Sequence, residues 1–138
     1  MLERGQGRYA PEELQRFLFE HVESHEELDL AVLLRRHRDR DWSVEDAAAA
    51  ARLSVSACQT GLLGLVKRGI ASPGALAGTF RYSPCSLELA ARLAQLDESY
   101  RSQRLAVVML MSINAIERLR IATLHRFADT LRLRDQTR

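Results

Sequence analysis

Residues 42–84 decide the fold, and they read WSVEDAAAAARLSVSACQTGLLGLVKRGIASPGALAGTFRYSP. Ser43 and Ser54 each precede an apolar helical pattern, a position where a serine hydroxyl caps the free N–H groups of a helix. The first predicted helix runs through the alanines. The second continues to Arg68 and stops at Gly69, because glycine readily adopts the left-handed conformation of a helix end. The stretch predicts two short helices joined by a turn of about three residues.

After these helices the pattern changes to that of a β-hairpin. A short strand is predicted over residues 70–72, and the Pro-Gly pair that follows marks a turn. Residues 79–82 alternate, which places Phe80 and Tyr82 on one face and Arg81 on the other. A helix pair followed by a hairpin predicts a mainly α fold with a small β-wing, the winged helix-turn-helix.

Helices are predicted on both sides of this region. Pro11 suits the first position of a helix, and Ser24 has a glutamate three residues later, the spacing of a capping box. Ser86 is placed to cap a long helix after the hairpin. We expect that helix to run through the apolar residues 105–111, to break near Ser112–Asn114, and to be followed by a last helix.

The chain therefore divides into a flexible N-terminus at residues 1–9, a winged helix-turn-helix domain with N-terminal helices at 10–85, and a C-terminal helical dimerisation element at 86–138. Seven consecutive apolar residues, Leu105–Met111, cover every side of a helix, so one packing partner cannot bury them all. An internal core that covers the wing domain of the same subunit is the alternative. We expect a homodimer interface formed by Leu105, Val108, Met109, Met111, Ile113 and Ile116.

The charge of the chain is small in total but unevenly distributed. The formal net charge is +2, which does not by itself indicate a polyanionic partner. Residues 1–42 carry 7 arginines against 10 acidic residues, a net charge of −3, whereas residues 86–138 carry 9 against 6, a net charge of +3. Residues 43–85 have a net charge of +2. The middle and C-terminal parts are expected to share a mildly basic surface.

The segments Trp42–Ala47, Leu53–Ser56 and Lys67–Ile70, with Leu62 and Leu65, resemble bacterial winged-helix regulators of the MarR type. Such proteins pair as homodimers through helices on both sides of the winged domain. The resemblance implies a transcriptional regulator that binds double-stranded DNA. It implies that DNA meets the second helix at Ser54, Ser56, Gln59, Thr60 and Lys67.

A helical wheel of the second helix separates an inward from an outward face. Cys58, Leu62 and Leu65 point inward, with Val55 and Gly61 near them, and Ser56, Thr60, Leu63 and Lys67 point outward, flanked by Gln59 and Gly64. Bases are read best by Arg, Lys, Asn or Gln. Leu63 and Gly64 depart from that pattern and predict a weak or shape-driven contact. Arg52, Arg68 and Arg81 are placed to contact phosphates.

Two other functions remain open. The same outward face, with Leu63 at its centre, suits an adaptor that binds a regulatory protein instead of DNA. A ligand-sensing regulator would need a pocket between the dimer helices and the winged domain, lined by Leu93, Tyr100 and Met109.

Other classes of site lack support in the sequence. No glycine-rich phosphate loop, nucleophile elbow or paired-carboxylate site is present, so we expect neither an enzyme nor a cofactor. His21 and His25 have a metal-binding spacing, but the predicted cap at Ser24 separates them. Cys58 and Cys85 lack metal or redox spacing, and Cys58 is expected in the core. With no signal peptide or membrane span in evidence, we expect a cytoplasmic protein.

Overall fold

The computed structural model describes residues 11–136, and of residues 134–136 the backbone alone. The expected flexible segment at residues 1–9 lies outside this range. The chain is mainly helical with one small antiparallel sheet. Its elements in order are α1 Pro11–His21, α2 His25–Arg36, β1 Trp42–Ser43, α3 Val44–Ala51, α4 Val55–Lys67, β2 Ala71–Pro73, β3 Thr79–Tyr82, α5 Leu87–Ser102 and α6 Arg104–Gln136.

Serine caps set the starts of four helices, as the sequence predicts. The hydroxyl oxygens of Ser24, Ser43, Ser54 and Ser86 each accept a hydrogen bond from the backbone N–H three residues later, at 3.0–3.1 Å. These bonds satisfy N–H groups that have no partner within the helix. The end of α4 is also confirmed, because Gly69 follows it with φ +78°.

The sheet contains one strand more than the sequence indicates. Its order is β1-β3-β2, with all pairs antiparallel. Trp42 pairs with Phe80 and Ser43 with Thr79, so the two residues just before α3 join the hairpin. Pro73 ends β2 instead of belonging to the turn, and this position is tolerated because β2 is an edge strand. Phe80 and Tyr82 pack against the core while Arg81 is exposed, as the alternation predicts.

The prediction of a helix break near Ser112–Asn114 is wrong. The break lies at Gln103, whose N–H donates to Ser99 O at 2.7 Å, and α6 then runs unbroken for 33 residues. Asn114 does not cap a helix. Its side chain is buried and its Nδ2 donates to the carbonyl of Gln15 at 3.1 Å, which holds α6 against α1.

Arg118 strengthens the contact between α1 and α6. Its guanidinium donates to the carbonyl oxygens of Leu18, Phe19, Val22 and Glu23, at 2.7–3.2 Å. Leu18 and Phe19 lie in the last turn of α1, and Val22 and Glu23 follow it; a cation is favoured at this end of a helix. The docking of α1 therefore depends on a side chain about 100 residues away in sequence.

Asp97 joins α5 to the end of α2. Its carboxylate is buried and accepts hydrogen bonds from Arg35 at 2.6 Å and from Arg36 at 2.8 and 3.0 Å. Nearby, Tyr100 donates its hydroxyl to Asp29 at 2.7 Å, and burial together with this bond raises the pKa of Tyr100 to about 12. These contacts hold the C-terminal helices on the rest of the chain.

Replacing Asp97 by asparagine is expected to lower the free energy of unfolding by about 2 kcal/mol or more, because two arginines lose their charged partner in a buried site. Urea unfolding measures the change. Glu98→Gln, which alters the exposed neighbour on the same helix, is the control and should change stability by less than about 0.5 kcal/mol. Equal effects of the two substitutions would contradict the structural role of Asp97.

Candidate functional site

The exposed side of α4 is the surface on which the sequence places a binding site. Ser54, Ser56, Gln59, Thr60, Leu63 and Lys67 all lie on that side. Cys58, Leu62 and Leu65 lie on the other side and are fully buried, as predicted. Val55 is the exception to the wheel, because its side chain is 48 % exposed rather than inward.

Arg68 is not available to a phosphate, contrary to the expectation. Its Nη2 lies 2.6 Å from Glu23 Oε1, and its Nη1 lies 3.2 Å from Glu27 Oε2. Nη1 also donates to the carbonyl of Gly64 at 3.3 Å. Two carboxylates from the start of α2 and the segment before it therefore neutralise this cation, and its role is structural.

Gly64 faces α2 and does not belong to the outward face. A Cβ atom at this position would overlap the carboxylate of Glu27. One turn earlier, a Cβ atom on Gly61 would lie 2.7 Å from Cδ1 of the buried Leu30. The two glycines allow α2 and α4 to approach closely. Glycine at these positions is therefore explained by helix packing and not by contact with DNA bases.

Glu27 lies at the centre of this contact. Its Oε1 accepts a hydrogen bond from the backbone N–H of Glu23 at 2.9 Å, and its Oε2 accepts one from Arg68. Burial disfavours the charged carboxylate and raises the pKa of Glu27 above its ordinary value, although the bond from Glu23 and the charge of Arg68 oppose this shift. The sequence indicated Glu27 only as a capping residue.

Arg81 lies on the exposed side of the β2–β3 hairpin, as predicted, but it has a partner. Its Nε is 3.4 Å from Asp41 Oδ1, and about half of its side chain is exposed. Asp41 also accepts a hydrogen bond from the N–H of Ala75 at 2.8 Å, so it is fixed beneath the hairpin. Arg81 can leave this pair for an anion, at the small cost that exposed ion pairs carry.

The electrostatics of this side of the molecule are mildly basic. Lys67 and Arg52 are exposed, and within residues 11–136 neither forms an ion pair. Glu45 and Asp46 are exposed at the start of α3, and Nη2 of Arg40 lies 3.4 Å from Oδ2 of Asp46. Positive charge therefore only slightly exceeds negative charge around the α4 face.

The residues expected at a dimer interface do not all reach the surface. Leu105, Met109, Ile113 and Ile116 are exposed on α6. Met111 is 2 % exposed, because it points into the chain's own core, and Val108 is partly buried against that core. Met111 is thus a correction to the expected interface, because Val107 and Met111 belong to the chain's own core, where α6 packs mainly on α1 and α5.

The side chains expected to line a ligand pocket differ in their exposure. Leu93 and Tyr100 lie in the core while Met109 is exposed, so these three side chains do not share one exposed surface. An open cleft of about 670 Å³ lies instead between α1 and the start of α5, lined by residues that include Arg16, His21, Cys85 and Arg92.

No group of three or more potential metal ligands occurs in the part of the chain that the structure describes. His21 ends α1 and His25 begins α2, so the two do not share a helix. Cys58 is buried in the core, as expected, and burial raises the pKa of its thiol.

Over residues 11–136, no single helix has the length and apolar composition to cross a membrane, and only α3 with α4, bent by 105°, meets those criteria as a pair. Comparisons of the chain with protein-family models, with curated proteins and with solved structures give no match.

The burial of Glu27 predicts a pH dependence. Its carboxyl group binds a proton more tightly in the folded than in the unfolded chain, so its contribution to stability is greatest below pH 4.5 and falls as the pH rises through the raised pKa. The stability of the wild type relative to Glu27→Gln should fall as the pH rises from 4.5 through the raised pKa of Glu27. Urea unfolding across this range measures the difference.

Glu13→Gln, which alters an exposed glutamate in α1, is the control for the loss of one carboxyl group. If the difference between wild type and Glu27→Gln stays constant with pH, the direction inferred for Glu27 is wrong.

Proposed function

We propose that this chain is a DNA-binding transcriptional regulator of the winged-helix type that acts as a homodimer. The observation that carries the proposal is the exposed side of α4, which presents Gln59, Thr60 and Lys67 clear of the rest of the chain. Its other side is held by α2. A helix that is fixed on one side and polar on the other suits insertion into a major groove.

The element order supports this proposal. The α3–turn–α4 pair is followed by the β2–β3 hairpin, and β1 adds a third strand, a layout that fits a winged helix-turn-helix. Arg81 on the hairpin and Arg52 in the turn flank α4, where they are placed to contact phosphates. The resemblance to MarR-type regulators agrees with this layout, and the role places the protein in the cytoplasm with the DNA.

The proposal has consequences for affinity and specificity. With Arg68 neutralised, phosphate contacts fall to Lys67, Arg52 and Arg81, so binding should be weak, with a salt slope set by about three phosphate contacts per subunit. Gln59 is the residue on this face best suited to a bidentate contact with adenine. Sequence preference should therefore be concentrated at few base pairs.

Mobility shifts on the DNA around the chain's own gene, repeated across salt concentrations, test this function. Lys67→Ala should weaken binding to all sequences and reduce the salt slope by about 2, one for each subunit, whereas Gln59→Ala should relax the preference at one base position in each half-site. Arg92→Ala, an exposed arginine on α5, is the control. Absence of binding at low salt would contradict DNA binding.

A protein-binding adaptor is the second candidate, and one observation favours it. Leu63 and Val55 are about half exposed and lie two turns apart on α4 with Gln59 between them, so this helix presents two apolar side chains beside its polar ones. Leu63→Glu should abolish binding to a protein partner without unfolding the chain, as measured by pull-down and circular dichroism. Under the DNA proposal, the same variant should weaken DNA binding by adding a negative charge.

The homodimer is tested by light scattering at micromolar concentration. The expected mass is twice 15.6 kDa, because several large apolar side chains of α6 are exposed in the single chain. A monomer under these conditions would contradict the dimer. DNA binding would still be tested separately by the mobility shift.

A further inference from the structure

Helix α6 has two sides of opposite character. Val107, Met111, Asn114 and Arg118 face the chain's own body and are buried or half-buried. The opposite side carries eight large apolar residues that are 44–73 % exposed, and we call it the outer face. On an ideal helix these residues span an arc of about 140°. They are Leu105, Met109, Ile113, Ile116, Leu119, Leu124, Phe127 and Leu131.

Within residues 11–136, the C-terminal half of α6 has no packing partner. Every side chain from residue 122 to residue 133 is exposed. An isolated helix is marginally stable in water, and most helical stability in proteins comes from packing of an apolar face. The regular apolar spacing therefore indicates that another surface covers this half.

A second copy of this chain fits the outer face in area. A stable interface buries about 800 Å² on each partner, and eight large side chains that are each about half exposed supply an area of that order. The self-complementary pairing of two identical helices about a two-fold axis is also the commonest symmetry of oligomers.

Charge decides the direction of the pairing. Residues 118–136 contain five arginines and two aspartates, so a parallel pair would place two basic halves side by side. Residues 105–116, in the first half of α6, contain no charged side chain. An antiparallel pair separates the two basic halves and places each beside the uncharged residues 105–116 of the other copy.

The positions of the apolar residues fit an antiparallel pair centred on Arg120. Ile116 and Leu124 lie four residues on either side of Arg120, and Ile113 and Phe127 lie seven residues on either side. Met109 and Leu131 lie eleven residues away. Arg120 itself is paired with Glu117 at 2.7 Å, so its charge at the centre is compensated.

We propose that α6 pairs antiparallel with α6 of a second copy about a two-fold axis at Arg120. The basic C-terminal half of each helix then covers residues 105–116 of the other. The interface is about twice as long as residues 105–116 alone would provide. This inference rests on the homodimer of the proposed function and not on DNA binding.

Cysteine cross-linking tests the arrangement in a Cys85→Ser background, which leaves only the buried Cys58. Arg120→Cys should cross-link with itself under a copper–phenanthroline oxidant. Ile113→Cys should cross-link only when it is mixed with Phe127→Cys. Two copies of Ile113→Cys would lie about 21 Å apart along the axis, well beyond disulfide reach. Products are separated on a non-reducing gel.

Self-cross-linking of Ile113→Cys alone and of Phe127→Cys alone would indicate a parallel pair and overturn the proposal. A second test uses Phe127→Asp, which should weaken dimerisation by at least about 30-fold. His125→Asp, an exposed residue on the other side of α6, is the control. An unchanged dimer in Phe127→Asp would also overturn the proposal, and circular dichroism checks that each variant folds.

The outcomes separate this inference from the proposed function. The cross-linking pattern does not depend on DNA, so loss of DNA binding with the antiparallel pattern would overturn the regulator and leave the pairing intact. A monomer without cross-links would overturn the dimer in both proposals.

Discussion

The close approach of α2 and α4 is the constraint on which the rest of the structure depends. It requires glycine at positions 61 and 64, because a side chain at either position would meet Leu30 or Glu27. Arg68 then closes the contact by pairing with two carboxylates. This contact determines which side of α4 faces solvent. The two glycines, which do not themselves suit a binding surface, therefore decide which residues of α4 are exposed.

A second set of contacts fixes the C-terminal helices. Asp97 binds both arginines at the end of α2, and Arg118 holds the last carbonyls of α1. These bonds use polar groups that would be costly to bury without partners. They set the side of α6 that packs on the chain, and the large apolar residues consequently lie on the side that faces away. The outer face therefore has no partner within the described residues, because these polar contacts hold the opposite side of α6 against the chain.

The two surfaces left by these contacts differ in character. The α4 face is polar with little net charge, because Arg68 is neutralised internally and Arg81 has Asp41 beside it. The outer face of α6 is apolar and long. A modest contact by a single α4 becomes effective when two copies bind together, since linked sites raise the local concentration of the second. The proposed pairing and the proposed regulator therefore support each other physically, although each is tested separately.

The sequence by itself determined the local features. Ser43 and Ser54 cap helices through bonds to residues three positions away, Gly69 ends α4, and the Phe80–Tyr82 alternation sets the hairpin faces. Such features depend on neighbouring residues, which a single sequence displays. Only the tertiary structure decided the strand at Trp42, the unbroken α6 and the loss of Arg68 from the binding face. Arg68 and Glu27 are 41 residues apart, and contacts at that separation leave no periodic pattern in the sequence.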